Sequence, residues 1–325
     1  MTNKIVGFGM LFFIFLFIDN CTKKEEGFPV LKGPYFGQKP PGLTPEIFAP
    51  CIISTDGDET LPVFSPEGDE LFYSLKYGTE KRLTILTSKQ KNGVWTEPEI
   101  ASFSGQYYDA ASSISPDGQS LYFVSMRPLR SGDSPFEVQN IWVIEKYGNT
   151  WRDPVMLPPP VNSDARELGG TLTKGGYFYF STTRKEIKGG KCRLKFVDGK
   201  YSEPESIHEI YNFEIPFFEM ARHPDEKFVV FVSYGQEDGF GEFDLYLSFN
   251  MGKDIWTKPV NLGEKINTKA NEHFPIFSHD GRYLFFVSDR ISEEYKAKEN
   301  RPGNGSSDIY WVSAEILDNL KPGGF

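Results

Sequence analysis

Cysteine and histidine, on which most thiol and metal chemistry depends, are scarce in this sequence: it has 3 cysteines and 4 histidines in 325 residues. It also lacks the motifs G-x-S-x-G, H-E-x-x-H, C-x-x-C and G-x-x-x-x-G-K-[ST], and it has no strand-bound G-x-G-x-x-G. These motifs are the usual signatures of serine hydrolases, zinc enzymes, redox proteins and nucleotide-binding proteins. We therefore predict no cofactor and no metal site.

Basic charge is also limited, because 35 Lys and Arg residues face 45 Asp and Glu residues, for a net charge of −10. A phosphate backbone or an anionic membrane surface repels such a chain, so we predict no nucleic-acid partner. Hydrophobic residues make up 39% of the sequence. That content excludes a disordered protein and allows a sizeable core.

Long apolar runs are missing except near the N-terminus, where Lys4 precedes an apolar run that ends at residue 18. As a helix this run would span roughly 20 Å, which is less than the ~30 Å of a bilayer core. The segment that follows, Asp19-Asn20-Cys21, resembles the lipobox of bacterial lipoproteins. The resemblance implies a lipid anchor on Cys21, with an uncleaved anchor or a simple secretory signal as alternatives.

Residues 22–26 resemble the short charged tether that directs some lipoproteins of Gram-negative bacteria to the outer surface. With the lipobox, this resemblance implies a protein that is lipid-anchored in the cell envelope. The expected location is the outer membrane, on its surface or on its periplasmic face. The membrane contact is then made through the lipid anchor only.

A turn signature of the type Ser-Pro-Asp-Gly recurs five times, at intervals of 50, 58, 50 and 55 residues. The five copies occupy residues 65–68, 115–118, 173–176, 223–226 and 278–281. An aromatic-rich run such as Leu121–Ser125 follows each turn, and a third run such as Asp308–Val312 follows that one. A fourth run carries an aromatic residue three positions before a proline, which a strand tolerates only at an edge. The pattern predicts units of four strands with the proline-containing strand outermost.

These elements resemble the TolB-type, WD-like propeller repeat over about residues 46–317. The carrying motifs are the Ser-Pro-Asp-Gly turn, the strand ending in Ser-x-Arg, the Asp-Ile-Tyr strand and the Trp-x-x-Pro strand. The resemblance implies an all-β fold in a single β-propeller of five four-stranded blades. Six blades are the alternative, because TolB-type rings often have six.

The fifth unit ends without its proline-containing strand, whereas Pro45–Ile47 repeats the sequence of Pro98–Ile100. We therefore predict that a strand near Ile47 pairs beside Asp308–Val312 and completes the last blade, since closure removes exposed sheet edges. The predicted organisation is a signal peptide over residues 1–20, a tether over residues 21–45 and the propeller over residues 46–325.

An acidic residue begins the first strand of four units and a basic residue follows their second strand. In a meander these positions share one face, so we expect a ring of charges at one mouth of the central channel. The acids are Glu59, Asp109, Glu167 and Glu272, and the bases are Lys76, Arg127, Arg184 and Arg290. The fourth unit has Phe217 and Tyr234 instead.

The ring of charges has two interpretations. Each acid either bridges to a base and ties the blades together, or the ring binds a polar ligand such as a sugar, a peptide segment or a cation. The ligand-binding candidates are Glu59, Asp109, Glu167, Glu272, Arg127, Arg184, Arg290 and the neighbouring His273. The other histidines are predicted elsewhere, with His208 in an outer strand and His223 and His279 on the opposite face.

Two functions fit these features. The first is a non-catalytic, envelope-anchored propeller that presents a binding face to a protein or glycan partner. The second is a polysaccharide-active hydrolase or lyase that uses carboxylates at the channel mouth. A general acid needs a raised pKa, and a basic neighbour lowers it. An acid without a basic neighbour and close to a second acid would therefore favour catalysis.

Overall fold

The structure is a computed structural model that describes residues 27–77, 82–130, 132–295 and 301–323. It is an all-β ring of five antiparallel sheets, which confirms the five-bladed propeller. Each sheet is a blade in which the first three strands are neighbours and follow one another along the chain.

The strands are numbered along the chain. Blade 1 contains β2 (Glu59–Phe64), β3 (Glu70–Tyr77), β4 (Arg82–Lys91), β5 (Val94–Trp95) and β6 (Glu99–Ile100). Blade 2 contains β7 (Asp109–Ile114), β8 (Ser120–Ser125), β9 (Asn140–Tyr147), β10 (Thr150–Trp151) and β11 (Val155–Met156). Blade 3 contains β12 (Glu167–Leu172), β13 (Tyr177–Thr182), β14 (Lys191–Val197), β15 (Lys200–Tyr201) and β16 (Glu205–Ser206).

Blade 4 contains β17 (Met220–Arg222), β18 (Phe228–Tyr234), β19 (Phe243–Phe249) and β20 (Val260–Asn261). Blade 5 contains β21 (Glu272–Phe277), β22 (Tyr283–Ser288), β23 (Asp308–Ser313) and β1 (Glu46–Ile47). A short helix, α1 (Ile207–Tyr211), connects blades 3 and 4, and 3-10 turns lie at Pro34–Gly37, Lys188–Gly190 and Ala314–Leu320.

All five turn signatures form the same tight turn between the first and second strands of a blade. The fourth residue of each turn has a positive φ, and its amide donates to the carbonyl of the first, for example Gly118 to Ser115 at 2.8 Å. Glycine adopts this left-handed conformation without steric cost. The fourth unit uses Glu226 there with φ 57°, so its degenerate sequence still makes the turn.

The proline-containing strand is outermost in each of the first three blades, and its proline divides it into two short pieces. In blade 1, β5 and β6 both pair with β4, with Pro98 between them. Proline donates no amide hydrogen bond, which interrupts the ladder at this position.

Blade 5 is completed by β1, which pairs antiparallel with β23. Glu46 lies opposite Trp311 and Ile47 opposite Tyr310, and the Phe48 amide continues the ladder to the Ile309 carbonyl at 2.8 Å. This confirms the predicted closure of the ring by a strand from near the N-terminus. Closure leaves β23 with a partner on both sides.

Residues of the predicted tether pack against the ring. Phe36 is 4% exposed and stacks on Trp95 with ring centroids 4.1 Å apart, and the Trp95 indole donates to the Gly33 carbonyl at 2.8 Å. The Gln38 amide bonds to the backbone of Ile47 and Ala49. The domain boundary at residue 46 stays a prediction, and the segment before it contributes side chains to the core.

The core is divided into five hydrophobic clusters, each lying mainly between two neighbouring blades. The cluster between blades 5 and 1 is the most aromatic and contains Phe48, Phe285 and Trp311, each fully buried. The blades are therefore held together chiefly by burial of apolar surface between their faces.

Of the remaining single residues, His208 and Cys192 lie in the described part of the chain. His208 lies in α1 rather than in an outer strand, because the Ser206 side chain accepts from the His208 amide and caps a helix there. Cys192 is a buried free thiol, whereas Cys21 lies outside the described residues. In the described part of the chain, no helix has the length and apolar character needed to cross a bilayer.

Candidate functional site

A cavity of about 600 Å³ runs through the centre of the ring, and we call it the central cavity. The first strand of every blade lines it, mostly with small or apolar side chains such as Val63, Ala110, Gly170, Ala221 and Ile276. Its volume lies within the range of ordinary ligand pockets.

Asp109 of blade 2 illustrates how the predicted acids and bases are used. Its carboxylate is fully buried and accepts hydrogen bonds from Ser104 Oγ at 2.8 Å, Ser125 Oγ at 2.7 Å and the Arg127 guanidinium at 2.8 Å. Arg127 also donates to the carbonyl of Phe103, which belongs to the segment arriving from blade 1. The ion pair therefore ties two blades together.

Blades 3 and 5 contain the same arrangement, and we call all three acid–base bridges. Glu167 pairs with Arg184 at 3.1 Å, and Glu272 pairs with Arg290 at 2.9 Å, with both carboxylates fully buried. A nearby hydroxyl, on Ser163 or on Thr268, donates to each carboxylate. These buried charges thus have the partners that burial demands.

Each acid–base bridge joins the first strand of a blade to the end of its second strand and to the segment that precedes the blade, and it does not line the central cavity. Among the described residues that line this cavity, none is one of the eight ligand-binding candidates. The carboxylates of Asp109, Glu167 and Glu272 are already engaged by arginine partners. Their role in ligand binding stays a prediction.

Blade 1 departs from the pattern because Glu59 has no basic partner among the described residues. Its carboxylate accepts from the Thr55 hydroxyl and, at 3.2 Å, from the Thr55 amide. Lys76 instead pairs with Asp58 at 3.4 Å, and its side chain is 46% exposed. Burial raises the pKa of Glu59 to about 7 because desolvation disfavours the charged form.

Asp308 is a second buried acid, which the ring of predicted charges did not include. One oxygen accepts from the Gly303 amide at 2.6 Å, and the other, Oδ1, has no hydrogen-bond partner. Burial, with a smaller contribution from the charges of Glu59 and Asp58, raises the pKa of Asp308 to about 8. The Asp-Ile-Tyr motif marked this residue as a strand start but carried no signal of its burial.

Blade 4 has no acid–base bridge. Phe217 and Tyr234 occupy the positions of the acid and the base, as the sequence indicated, and the hydroxyl of Ser233 donates to the Pro216 carbonyl at 2.7 Å. The first strand is irregular here, because Val232 bonds both to the Phe218 amide and to the Glu219 carbonyl. This bulge places Phe218 and Glu219 on the wall of the central cavity.

Charged and aromatic side chains gather at the mouth of the central cavity beside blade 4. Lys191 Nζ lies 5.6 Å from the ring centre of Phe217 and 5.7 Å from that of Phe218. His273 Nδ1 lies 3.6 Å from Glu219 Oε2, an oxygen that is buried and accepts no hydrogen bond. We call Lys191, Phe218, Glu219 and His273 the mouth cluster.

Lys191 is a site residue that the sequence reasoning missed. It pairs with Ser181 in β13, and the register assigns it to the position that holds a fully buried aliphatic residue in the other four blades. Those residues are Ile85, Ile141, Leu245 and Ile309. The start of β14, Lys-Cys-Arg-Leu, has a lysine where the other units have an aliphatic residue, but this equivalence becomes apparent only from the register.

A metal site has no support in the described ranges, where no group of three His, Cys, Asp or Glu side chains is close enough to hold an ion. His223 and His279 lie at the other end of the central cavity from the mouth cluster, in the turns of blades 4 and 5. Of the four histidines, only His273 belongs to the mouth cluster.

Comparison with family models gives no match, and comparison with curated proteins gives none either. Among solved structures, a protein assigned as TolB from Agrobacterium tumefaciens is 17% identical, with a TM-score of 0.41 and 79% and 73% of the two chains covered. An alpha-L-arabinofuranosidase from Lactobacillus brevis is 11% identical, with a TM-score of 0.46 and coverages of 80% and 91%.

The hydrazine synthase of Kuenenia stuttgartiensis is 12% identical with a TM-score of 0.37, and the match covers 70% of this chain. This chain spans about half, 54%, of that protein. At these identities the likeness concerns the propeller fold alone. The functional conclusion therefore depends on the geometry of this chain.

Proposed function

We propose that this protein is an envelope-anchored, non-catalytic β-propeller lipoprotein that binds a protein or glycan partner at the mouth of the central cavity. The observation that carries the proposal is the contrast between blades. The acid–base bridges engage the carboxylates of blades 2, 3 and 5, whereas Lys191 and Glu219 of the mouth cluster line the cavity and Glu219 Oε2 accepts no hydrogen bond.

A catalytic function is the competing candidate, and Glu59 is the observation in its favour. It has no basic partner in the part of the chain that the structure describes, and its pKa of about 7 suits a general acid. Its side chain is only 1% exposed, however, and it is absent from the described wall of the central cavity. A glycosidic oxygen must approach within hydrogen-bond distance of a general acid. This burial therefore favours the binding function.

The lipid anchor rests on the lipobox-like segment that ends at Cys21. Growth with a clickable palmitate analogue should label the full chain, and Cys21→Ser should remove the label without changing the amount of protein. Protease treatment of intact cells then distinguishes the outer surface from the periplasmic face. Labelling that survives in Cys21→Ser contradicts the anchor.

Binding is tested by immobilising the full chain and passing solubilised envelope glycans and proteins over it. We expect the wild-type chain to retain a partner. The double variant Phe218→Ser, Tyr234→Ser should not retain it, because both side chains are exposed beside blade 4. The control variant Phe196→Ser, Tyr147→Ser changes exposed aromatics at outer blade edges and should retain it. If the two double variants retain the partner equally, the partner does not bind at the mouth of the central cavity.

The same envelope glycans provide the test of the catalytic alternative. Incubation with the full chain should release no new reducing ends or unsaturated products. If such products are released and the Glu59→Gln variant no longer releases them, the protein is a hydrolase or lyase rather than a binding protein. The net charge of −10 supports the absence of a nucleic-acid partner.

A further inference from the structure

Lys191 brings a positive charge to a position where the chain otherwise buries aliphatic side chains. Desolvation disfavours the charged ammonium and lowers its pKa, while Glu219 partly opposes that shift. Within the described residues no carboxylate forms an ion pair with it within 4.0 Å, and its compensation comes from two phenyl rings. A partly desolvated ammonium without an anion is a site where a ligand carboxylate gains a strong hydrogen bond.

Glu219 carries a hydrogen-bond acceptor that complements the positive charge of Lys191. Its Oε2 is buried without a hydrogen bond and lies 3.6 Å from Nδ1 of His273, while the Glu219 side chain as a whole is 35% exposed. A carboxylate oxygen in this state is best satisfied by hydroxyl or amide donors. The mouth cluster therefore offers one cation and one acceptor to the same cavity.

An exposed aromatic surface adjoins these two groups. Phe218 is 39% exposed and Tyr234 is 48% exposed, and both rings pack against Phe243 at centroid distances of 6.0 and 4.9 Å. Phe243 in turn contacts the His273 ring at 4.6 Å. Exposed aromatic side chains that cluster beside a cavity mark a binding surface for an apolar face of a ligand.

We propose that the mouth cluster binds an acidic glycan, a chain of sugars that carry a ring carboxylate. The carboxylate bonds to Lys191, sugar hydroxyls donate to the partly exposed Glu219 side chain, and the apolar face of the ring stacks on Phe218. A peptide of acidic residues supplies a carboxylate for Lys191 but no ring with an apolar face to stack on Phe218. The inference rests on the proposed binding function and names its ligand class.

Titration calorimetry of the full chain with short oligosaccharides of galacturonate, glucuronate and mannuronate tests the inference. At least one should bind, and its neutral hexose counterpart of equal length should bind at least about tenfold more weakly, as expected for the loss of one charge-assisted hydrogen bond. Lys191→Met should weaken binding by a similar factor.

Two matched controls separate the site from general effects. Lys195→Met removes an exposed lysine from the same strand and should leave binding unchanged. Phe218→Ala should weaken binding, whereas Phe196→Ala, equally exposed at 39%, should not. The melting temperature of Lys191→Met should equal or exceed that of the wild type, because the variant replaces a desolvated charge with an apolar side chain.

Equal binding of acidic and neutral sugars, or acidic-sugar binding unchanged in Lys191→Met, overturns the inference. Binding of a hexaglutamate peptide in place of every uronate oligosaccharide also overturns it. If an envelope partner is retained at the cavity mouth but no uronate oligosaccharide binds, the inference fails while the proposed function stands. If neither is bound, both fail.

Discussion

At the scale of single residues, the acid–base bridges show how the ring uses buried charge. In each bridge one carboxylate oxygen accepts from both a hydroxyl and a guanidinium, while the same arginine donates to a backbone carbonyl from the segment that precedes the blade. Arg290, for example, donates to Glu272 and, at 2.6 Å, to the Ile266 carbonyl. Removal of one partner leaves the other buried and unpaired.

Arg290→Ala should therefore destabilise the protein by about 3 kcal/mol, because the buried Glu272 loses its counter-ion. The measurement is urea unfolding at pH 7. Arg282→Ala is the control, since its partner Asp280 and its own side chain are exposed, and its unfolding midpoint should match the wild type. An unchanged midpoint in Arg290→Ala together with lost ligand binding would instead assign Arg290 to a binding site.

Glu59 and Asp308 should make stability fall as the pH rises. Their pKa values in the folded state are about 7 and about 8, above ordinary values of 4.5 and 3.8. The folded state therefore holds these protons more tightly than the unfolded state, and this stabilisation is lost between about pH 4.5 and pH 8.

Glu59→Gln and Asp308→Asn should each flatten that dependence and raise stability at pH 8 by on the order of 2 kcal/mol. Urea midpoints measured from pH 4.5 to 8.5 provide the test. Glu167→Gln serves as the comparison, because it leaves Arg184 without its counter-ion and should lose stability at pH 8. Parallel pH profiles for Glu59→Gln and the wild type would contradict the burial of a neutral Glu59.

The acid and base positions could be read from the sequence because they recur at a fixed place relative to the turn signature in four of the five units. Lys191 could not, because its significance appears only when the register shows that Ile141 and Leu245 occupy the same position in other blades. Likewise, the repeat alone does not reveal that Lys76 forms its ion pair with Asp58, so that Glu59 has no basic partner among the described residues. Side-chain direction at the channel mouth needs the tertiary structure.

At the scale of elements, β1 contains only two residues, and we call its junction with β23 the seam. The side chains that follow β1 strengthen this seam. Phe48 is fully buried and meets Phe64, Phe285 and Trp311 at centroid distances of 5.3 to 5.6 Å. The Ser54 hydroxyl accepts from the Ile309 amide at 3.2 Å. The seam therefore depends on packing as much as on the ladder.

Phe48→Ala should cost about 3–5 kcal/mol in unfolding free energy, because it opens a cavity among these aromatic rings. Phe196→Ala, at an exposed outer strand, should cost little. Urea unfolding at pH 6 measures both. If the two variants have equal midpoints, the segment around β1 contributes no packing energy to the ring.

The elements were largely predictable, since the turn, the alternating strand and the proline-containing edge each have a local physical cause. The degenerate turn at residues 223–226 kept its geometry because Glu226 accepts the left-handed conformation. The helix around His208 was missed because its start depends on a single cap by Ser206. The bulge at Phe218 and Glu219 has no local sequence signature.

At the scale of the whole molecule, five interfaces of similar kind are closed into a ring, so no blade is free to unfold without exposing two apolar faces. We expect one cooperative transition for the full chain. Its five tryptophans are distributed over blades 1, 2, 4 and 5. Fluorescence and far-UV circular dichroism should therefore give coincident urea curves. A fluorescence transition at lower urea would indicate that the ring opens first.

The pairing of β1 with β23 has a consequence for biosynthesis. Ser54 and Ile309, which meet at this seam, are separated by 255 residues. Because β1 is synthesised before β23, blade 5 stays incomplete and β1 lacks its ladder partner until the residues that include Tyr310 and Trp311 have left the ribosome. The ring is thus closed only after β23 has emerged, and the interval before closure is when the chain is most open to association with other copies.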